Sequence, residues 1–155
     1  MSYREHNGAN ASVDGNAVFT VIAAPDTWVL VEIFETFILE RWSADNDSID
    51  APVVGGTALH ELSYAMTIET DTTDGDGGAG AGEFAVEVAL KVDGNFLDGS
   101  HQQITIDTST QKFWPVSGVA LAAIADSDAV EVWIRDLGET DNILVRNLSL
   151  TAVRI

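Results

Sequence analysis

The sequence predicts an all-β protein, an antiparallel jelly-roll β-sandwich of about eight strands behind a flexible N-terminal arm. Three observations predict it. Apolar residues recur with period two in the clearest segments, above all Phe84, Val86, Val88, Leu90 and Val92, and again Val130, Val132 and Ile134. Turn residues punctuate the chain at short intervals: Pro25-Asp26, Gly55-Gly56, Asp93-Gly94-Asn95 and Asp126-Ser127-Asp128. No strand–helix–strand alternation appears, which disfavours a parallel sheet. A chain of 155 residues suits one domain, and at that size a single core buries roughly 70% of the surface the unfolded chain exposes.

Residues 1–16 are rich in Asn, Gly and Ser and are expected to be the arm, either a disordered terminus or an anchor that orders on a partner. The domain is expected over 17–155. Ala17–Ala23 is apolar and β-branched and ends at Pro25-Asp26. Thr27–Glu40 is compatible with two short strands or a helix; its Val, Ile, Thr, Phe and Trp content favours strand. Ser43–Gly56 is expected as a loop. Glu61–Glu69 places Leu62, Tyr64, Met66 and Ile68 on one face of a strand, and 70–82, with no apolar residue larger than alanine, is expected as a loop. The strand over 84–92 follows. Its five apolar residues at strict period two would be smeared around a helix. Gln102–Asp107, Gln111–Ser117 and Val119–Ala125 supply further strands, and Ala129–Arg135 alternates again. Asn142–Ile155 is a long last strand with a bulge expected near Asn147, because Ile143 and Val145 occupy one parity and Leu148 and Leu150 the other. Its apolar ending, Val153-Arg154-Ile155, places that strand inside a sheet.

Charge narrows the function. Twenty-five acids against 7 bases leave a net −18. Such a surface repels nucleic acid and anionic membranes, so neither is an expected partner. High acidity with only Lys91 and Lys112 for lysines suits a protein that works in salt. The absence of cysteine excludes disulfides and thiolate chemistry. The segment Met1–His6 lacks the apolar run of a secretory signal, and the apolar stretches are too short to span a bilayer.

The C-terminal half carries a resemblance. An alternating strand and Asp93-Gly94-Asn95 are followed by Val116-Ser117-Gly118-Val119-Ala120-Leu121-Ala122-Ala123. Then come Asp126-Ser127-Asp128-Ala129-Val130-Glu131-Val132-Trp133-Ile134 and a closing Leu150-Thr151-Ala152-Val153-Arg154-Ile155. This pattern resembles the globular jelly roll of the tumour necrosis factor and complement-type superfamily, in the versions found in phage and viral virion proteins. Ala125 stands where that family more often has glycine. The resemblance implies a homotrimer closed through aromatic and aliphatic residues of one sheet. It also implies a role in decorating a capsid or forming a fibre head, with the major capsid protein or another virion protein as partner. The implied location is the virion surface.

Among single residues, Trp133 lies on the polar parity of its strand and, with Arg135 and Trp114, is the expected interface set. Trp114 precedes Pro115, which confines it to extended backbone, and core packing is its competing role. Trp28, Trp42 and Trp133 offer the alternative of a sugar platform, as in a carbohydrate-binding module or the receptor-binding tip of a tail fibre. Asp71, Asp74 and Asp76, among glycines, supply the oxygen ligands Ca²⁺ requires; the competing reading is a solvated acidic loop. Asp45, Asp47 and Asp50 form a weaker group of the same kind. Arg135, Arg146 and Arg154 are expected to pair with acids across strands or between subunits. No catalytic constellation emerges. His6, His60 and His101 lack metal-ligand spacing, Ser63 and Ser117 lack a nucleophile context, and Glu87 and Glu131 lie on outer parities. The protein is therefore not expected to be an enzyme.

Overall fold

The structure, a computed structural model, describes residues 8–13, 20, 22, 24–31, 36–44, 47–53, 56–70, 83–107, 113–137 and 143–155. Every regular element among them is a strand: β1 (Gly8–Val13), β2 (Val29–Leu30), β3 (Thr36–Glu40), β4 (Ser43–Ala44), β5 (Ser48–Asp50), β6 (Ala58–Thr70), β7 (Glu83–Val92), β8 (Asn95–Phe96), β9 (Gln102–Asp107), β10 (Phe113–Ile124), β11 (Ala129–Leu137) and β12 (Ile143–Arg154). The first sheet runs β10-β6-β12-β1-β3. The second runs β4-β5-β11-β7-β8, with β2 also on β11 and β9 also on β7. Every pairing is antiparallel.

Period two builds the core from both sheets. Leu62, Tyr64, Met66 and Ile68 of β6 and Leu148, Leu150 and Ala152 of β12 face Val86, Val88 and Leu90 of β7 and Val130, Val132 and Ile134 of β11. Each fully buried aliphatic side chain of this kind contributes roughly 1.5–3 kcal/mol. At the second-sheet hairpin, Asp93 and Gly94 have φ of 47° and 75°, the left-handed pair that a two-residue turn between twisted strands requires. The bulge in β12 lies where the side-chain parity places it, between Val145 and Asn147. The extra residue is Arg146, whose Nε donates to Glu69, a carboxylate only 4% exposed.

Three expectations change. Gly8–Val13, read as part of an arm, is strand β1, held between β12 and β3. Its composition is poor for a strand, but its small residues fit. Ala9 and Ala11 are buried, and Asn10 Nδ2 donates to Ser149 Oγ (3.0 Å) and Thr151 Oγ1 (2.8 Å). Two flanking ladders override the intrinsic preference. The rest of the expected arm lies outside the described residues. The loop expected over 43–56 contains β4 and β5, and the two strands expected on either side of Gly118 are one, β10, paired with β6 from Phe113 to Ile124.

Gly118 is necessary to that continuity. It lies opposite Tyr64, and a Cβ there would stand 2.6 Å from the Tyr64 ring. The ring fills that space, and its hydroxyl reaches the carbonyl oxygens of Ser100 (3.1 Å) and Val88 (3.3 Å) in the second sheet. Ser100 is itself fully buried; its Oγ donates to Leu97 O (2.7 Å) and accepts from Leu90 N (2.9 Å). One tyrosine thus ties the two sheets through a satisfied polar network.

Candidate interaction surfaces

The outward faces of the two sheets differ. On the first sheet the outward residues of β6 are Leu59, Glu61, Ser63, Ala65 and Thr67, alternating with the buried set. Register places Leu121 and Val153 on either side of Glu61, and Val119 and Thr151 on either side of Ser63. Ala123 lies beside Leu59, and Ile155 N donates to Leu59 O (3.1 Å), which extends the same row. Leu59, Val119, Leu121, Val153 and Ile155 are 48–69% exposed and flank Glu61 and Ser63 on this face; Phe113, 51% exposed, lies farther along the β10 edge. Of the other exposed large apolar residues described, Leu39 is on the core parity of edge strand β3 and Val53 is in a loop. The apolar surface is therefore concentrated on one face. An apolar face of this kind marks an interaction site more often than chance exposure does.

The edge itself is long. β10 has 12 residues and lies outermost in its sheet. Pro115, which lacks a backbone donor, occurs where a strand tolerates it, on an edge.

The outward face of the second sheet carries a polar and aromatic cluster. β11 and β7 bring Trp133 opposite Ala89, Glu131 opposite Lys91 and Arg135 opposite Glu87. The β7–β8 hairpin adds Phe96 and the segment before β9 adds His101, and Trp28 precedes β2. Ring centroids are 4.5 Å apart for Trp28–Phe96, 5.6 Å for Trp28–His101 and 6.4 Å for Phe96–Trp133. Lys91 Nζ lies 3.5 Å from the Trp133 centroid and 4.5 Å from that of Phe96, and the Arg135 guanidinium lies 4.7 Å from that of Trp28. Arg135 Nε and His101 Nδ1 each donate to Glu87 at 2.7 Å, and Trp133 Nε1 donates to Glu131 at 2.8 Å. Burial alone would raise the Glu87 carboxyl, but the hydrogen bonds from His101 and Arg135 and their charges outweigh it and hold it below the usual carboxylate range. A cation thus lies against each of the two indole rings, Lys91 on Trp133 and Arg135 on Trp28.

The expected site residues are thus dispersed. Trp133 and Arg135 share the second-sheet cluster. Trp114 lies on the core-facing parity of β10 and packs against the core; its Nε1 is buried without a hydrogen-bond partner among the described residues. Trp42 is 5% exposed and packs edge-on against His60 at 5.5 Å, which removes it from any surface platform. Asp71, Asp74 and Asp76 lie outside the described residues. Among the described residues no three His, Asp or Glu side chains are grouped to hold a metal. Of the arginines, Arg135 and Arg146 pair with Glu87 and Glu69.

Sequence reasoning missed the apolar face of the first sheet. The signal is that β10 is apolar on both parities, so its strand carries no contrast to separate inside from outside. It also missed Phe96 and His101, which only the β7–β8 hairpin brings to Trp28.

Neither a protein-family model nor a curated protein matches the sequence. Solved structures do resemble the fold. Among 202 matching chains is murine APRIL, crystallised at pH 5.0, which aligns over 97% of this chain and 99% of its own at a TM-score of 0.54 and 13% identity. APRIL is a tumour necrosis factor family ligand with a jelly-roll fold. At that identity the likeness concerns architecture, and it agrees with the antiparallel jelly-roll β-sandwich read from the strand pattern.

Proposed function

We propose that this protein acts by association and not by catalysis. Copies pack through the outward face of the first sheet into a homotrimer, and the trimer is a structural component of a virion that decorates the capsid or caps a head fibre. The observation that carries the association is the concentration of exposed apolar residues on that face, at Leu59, Val119, Leu121, Val153 and Ile155. The second sheet, in contrast, sets Lys91 and Arg135 against its own indole rings. The jelly-roll likeness to a tumour necrosis factor family ligand supports self-association in threes. The resemblance of the C-terminal half to virion jelly rolls supports the virion role. So does the charge of −18, which keeps decorated particles from adhering to one another. A capsid or fibre protein is the second partner in this reading.

Light scattering coupled to size exclusion tests the assembly. The expected mass is three times 16.5 kDa. Val119→Asp with Leu121→Asp should give a folded monomer, while Trp133→Ala should leave the mass unchanged. A wild-type chain that stays monomeric at micromolar concentration would overturn the trimer. Electron microscopy of purified particles incubated with the protein tests the virion role: added density at regular capsid or fibre positions is expected, and bare particles would count against it.

A further inference from the structure

β10 is the outermost strand of the first sheet, and no described strand pairs with its outer side. Its register with β6 runs unbroken from Phe113 to Ile124. Two observations say which of its residues turn their backbone outward. Ile155 N donates to Leu59 O, so the odd-numbered residues of β6 turn their amides and carbonyls toward β12 and the even-numbered ones toward β10. Register sets the even-numbered residues of β10 opposite those even-numbered residues, which leaves Ser117, Val119, Leu121 and Ala123 with donors and acceptors on the outer side. Pro115 agrees: it has the same parity, and there its missing N–H costs no ladder bond.

Such an edge is a template for another extended chain, and edge strands are ordinarily guarded by charges, prolines or bulges. Here the guard ends at Pro115. Val116–Ile124 is nine residues with no charge, proline or bulge. The order of its residues says which chain fits. Read outward from Ala120, the two sides match in size: Val119 with Leu121, Gly118 with Ala122, Ser117 with Ala123 and Val116 with Ile124. An antiparallel twofold about Ala120 therefore sets each residue beside its size match in a second copy, as an isologous contact requires. Ser117 with Ala123, and Val119 with Leu121, become hydrogen-bonded pairs, about eight main-chain bonds in all. Val119 and Leu121, 59% and 57% exposed, shield one another across the axis. Charge favours the same approach. Each copy carries −18, and a second copy is repelled least along a stretch without charged side chains.

We propose that β10 pairs edge to edge with β10 of a second copy, antiparallel and centred on Ala120, so that two first sheets become one continuous sheet. The contact is twofold and made by backbone. It goes beyond the threefold packing of the outward face and does not rest on it; where both form, trimers are linked in pairs. A single nine-residue ladder is the smaller contact, so it is read by trapping.

The chain has no cysteine, so introduced thiols report the register under mild oxidation. Ala120 meets its own counterpart at a non-hydrogen-bonded position, with Cα atoms about 4.5 Å apart, within the span of a disulfide. Ser117 and its counterpart are offset by six residues, about 20 Å. Ala120→Cys should therefore give a covalent dimer at least tenfold faster than Ser117→Cys, although Ser117 is the more exposed residue. Ser117→Cys mixed with Ala123→Cys should cross-link to each other at least tenfold faster than either does to itself; both positions are exposed, and this pair serves if Ala120→Cys does not fold. Adding Ser117→Pro and Ala123→Pro to Ala120→Cys removes two outer donors and leaves the β6 ladder intact. In a variant that still melts cooperatively, cross-linking should slow at least tenfold. Equal rates for Ala120→Cys and Ser117→Cys, or no preference in the mixture, would overturn the inference, and so would a cross-link that survives the two prolines. The trimer is judged apart: three-chain mass without a register-specific cross-link sinks the strand pairing alone, and a cross-linked pair without three-chain mass sinks the trimer alone.

Discussion

Tyr64 and Gly118 form a coupled pair at the residue scale. Gly118→Ala forces a methyl into the tyrosine ring, an overpacking that costs about 1–3 kcal/mol. Tyr64→Phe removes the donor that Ser100 O and Val88 O share, at a cost of about 1–3 kcal/mol for the buried acceptors. Replacing Tyr64 by leucine in the Gly118→Ala background removes the clash, so the double variant should lose less than the sum of the losses of Gly118→Ala and Tyr64→Leu alone, by about 0.5 kcal/mol or more in urea melts. Strict additivity would mean the ring does not occupy the place of the missing side chain. His60 gives a second residue-scale prediction. Burial is the main cause of its lowered affinity for protons; the hydrogen bond to Ala58 opposes this, and the Arg154 charge reinforces it. The unfolded chain therefore binds a proton near the ordinary pKa of 6.5 that the folded chain refuses. The stability from neutral His60 is complete above pH 6.5 and is lost as pH falls below it toward the folded value. The difference in denaturation midpoint between wild type and His60→Phe should thus be nearly constant above pH 7 and shift against wild type below pH 6. A difference independent of pH would remove the argument.

At the scale of elements, the bulge in β12 offers the sharpest test. Arg146 is the unpaired extra residue between Val145 and Leu148, which both face the core, and deleting it would return the strand to simple alternation. The register then runs unbroken, with Val145 still beside Ile68, Asn147 beside Thr67 and Leu148 beside Met66, so no side chain changes face. The deletion should therefore keep cooperative unfolding and cost about as much as Arg146→Gln, since both remove the guanidinium beside the buried Glu69 carboxylate, whereas deleting Ser149 instead, which moves Leu150 and Ala152 to the outward parity, should cost more than about 4 kcal/mol in urea melts. A Ser149 deletion as stable as the Arg146 deletion would mean that the bulge does not set the parity. This bulge was legible in the sequence because it inverts a strong pattern of large residues. So were β7, β11 and the buried face of β6, where apolar and polar residues alternate. β1 was not legible: Ala9 and Ala11 carry too little apolar contrast, and their burial is decided by neighbours more than a hundred residues away. The apolar face of the first sheet was hidden for the opposite reason, since β10 is apolar on both sides. His60 and Trp42 gave no hint of their edge-on contact, because a lone histidine has no periodic partner.

At the scale of the whole molecule, electrostatics opposes both folding and assembly. Each copy carries −18, and a trimer confines three such charges behind one interface. Two opposing effects of salt must be weighed. Salt weakens the partly exposed pair Arg135–Glu87, which contributes only about 0–1 kcal/mol, and it screens the Arg146 pair with the buried Glu69 much less. Salt also screens repulsion among 25 carboxylates, a sum over many pairs. The Debye length shrinks from about 30 Å at 0.01 M to about 3 Å at 1 M, from the size of the molecule to that of a single contact. Repulsion should dominate, so raising NaCl from 0.01 to 1 M should increase the melting temperature and shift the monomer–trimer balance toward trimer. Sodium sulfate, which also strengthens apolar burial, should do more at equal ionic strength. The Val119→Asp, Leu121→Asp variant separates the two consequences: its melting temperature should still rise with salt while its mass remains that of one chain. Stability that falls steadily as NaCl is added would mean that the few ion pairs outweigh the net charge, and the acidic surface would then need an explanation other than tolerance of salt.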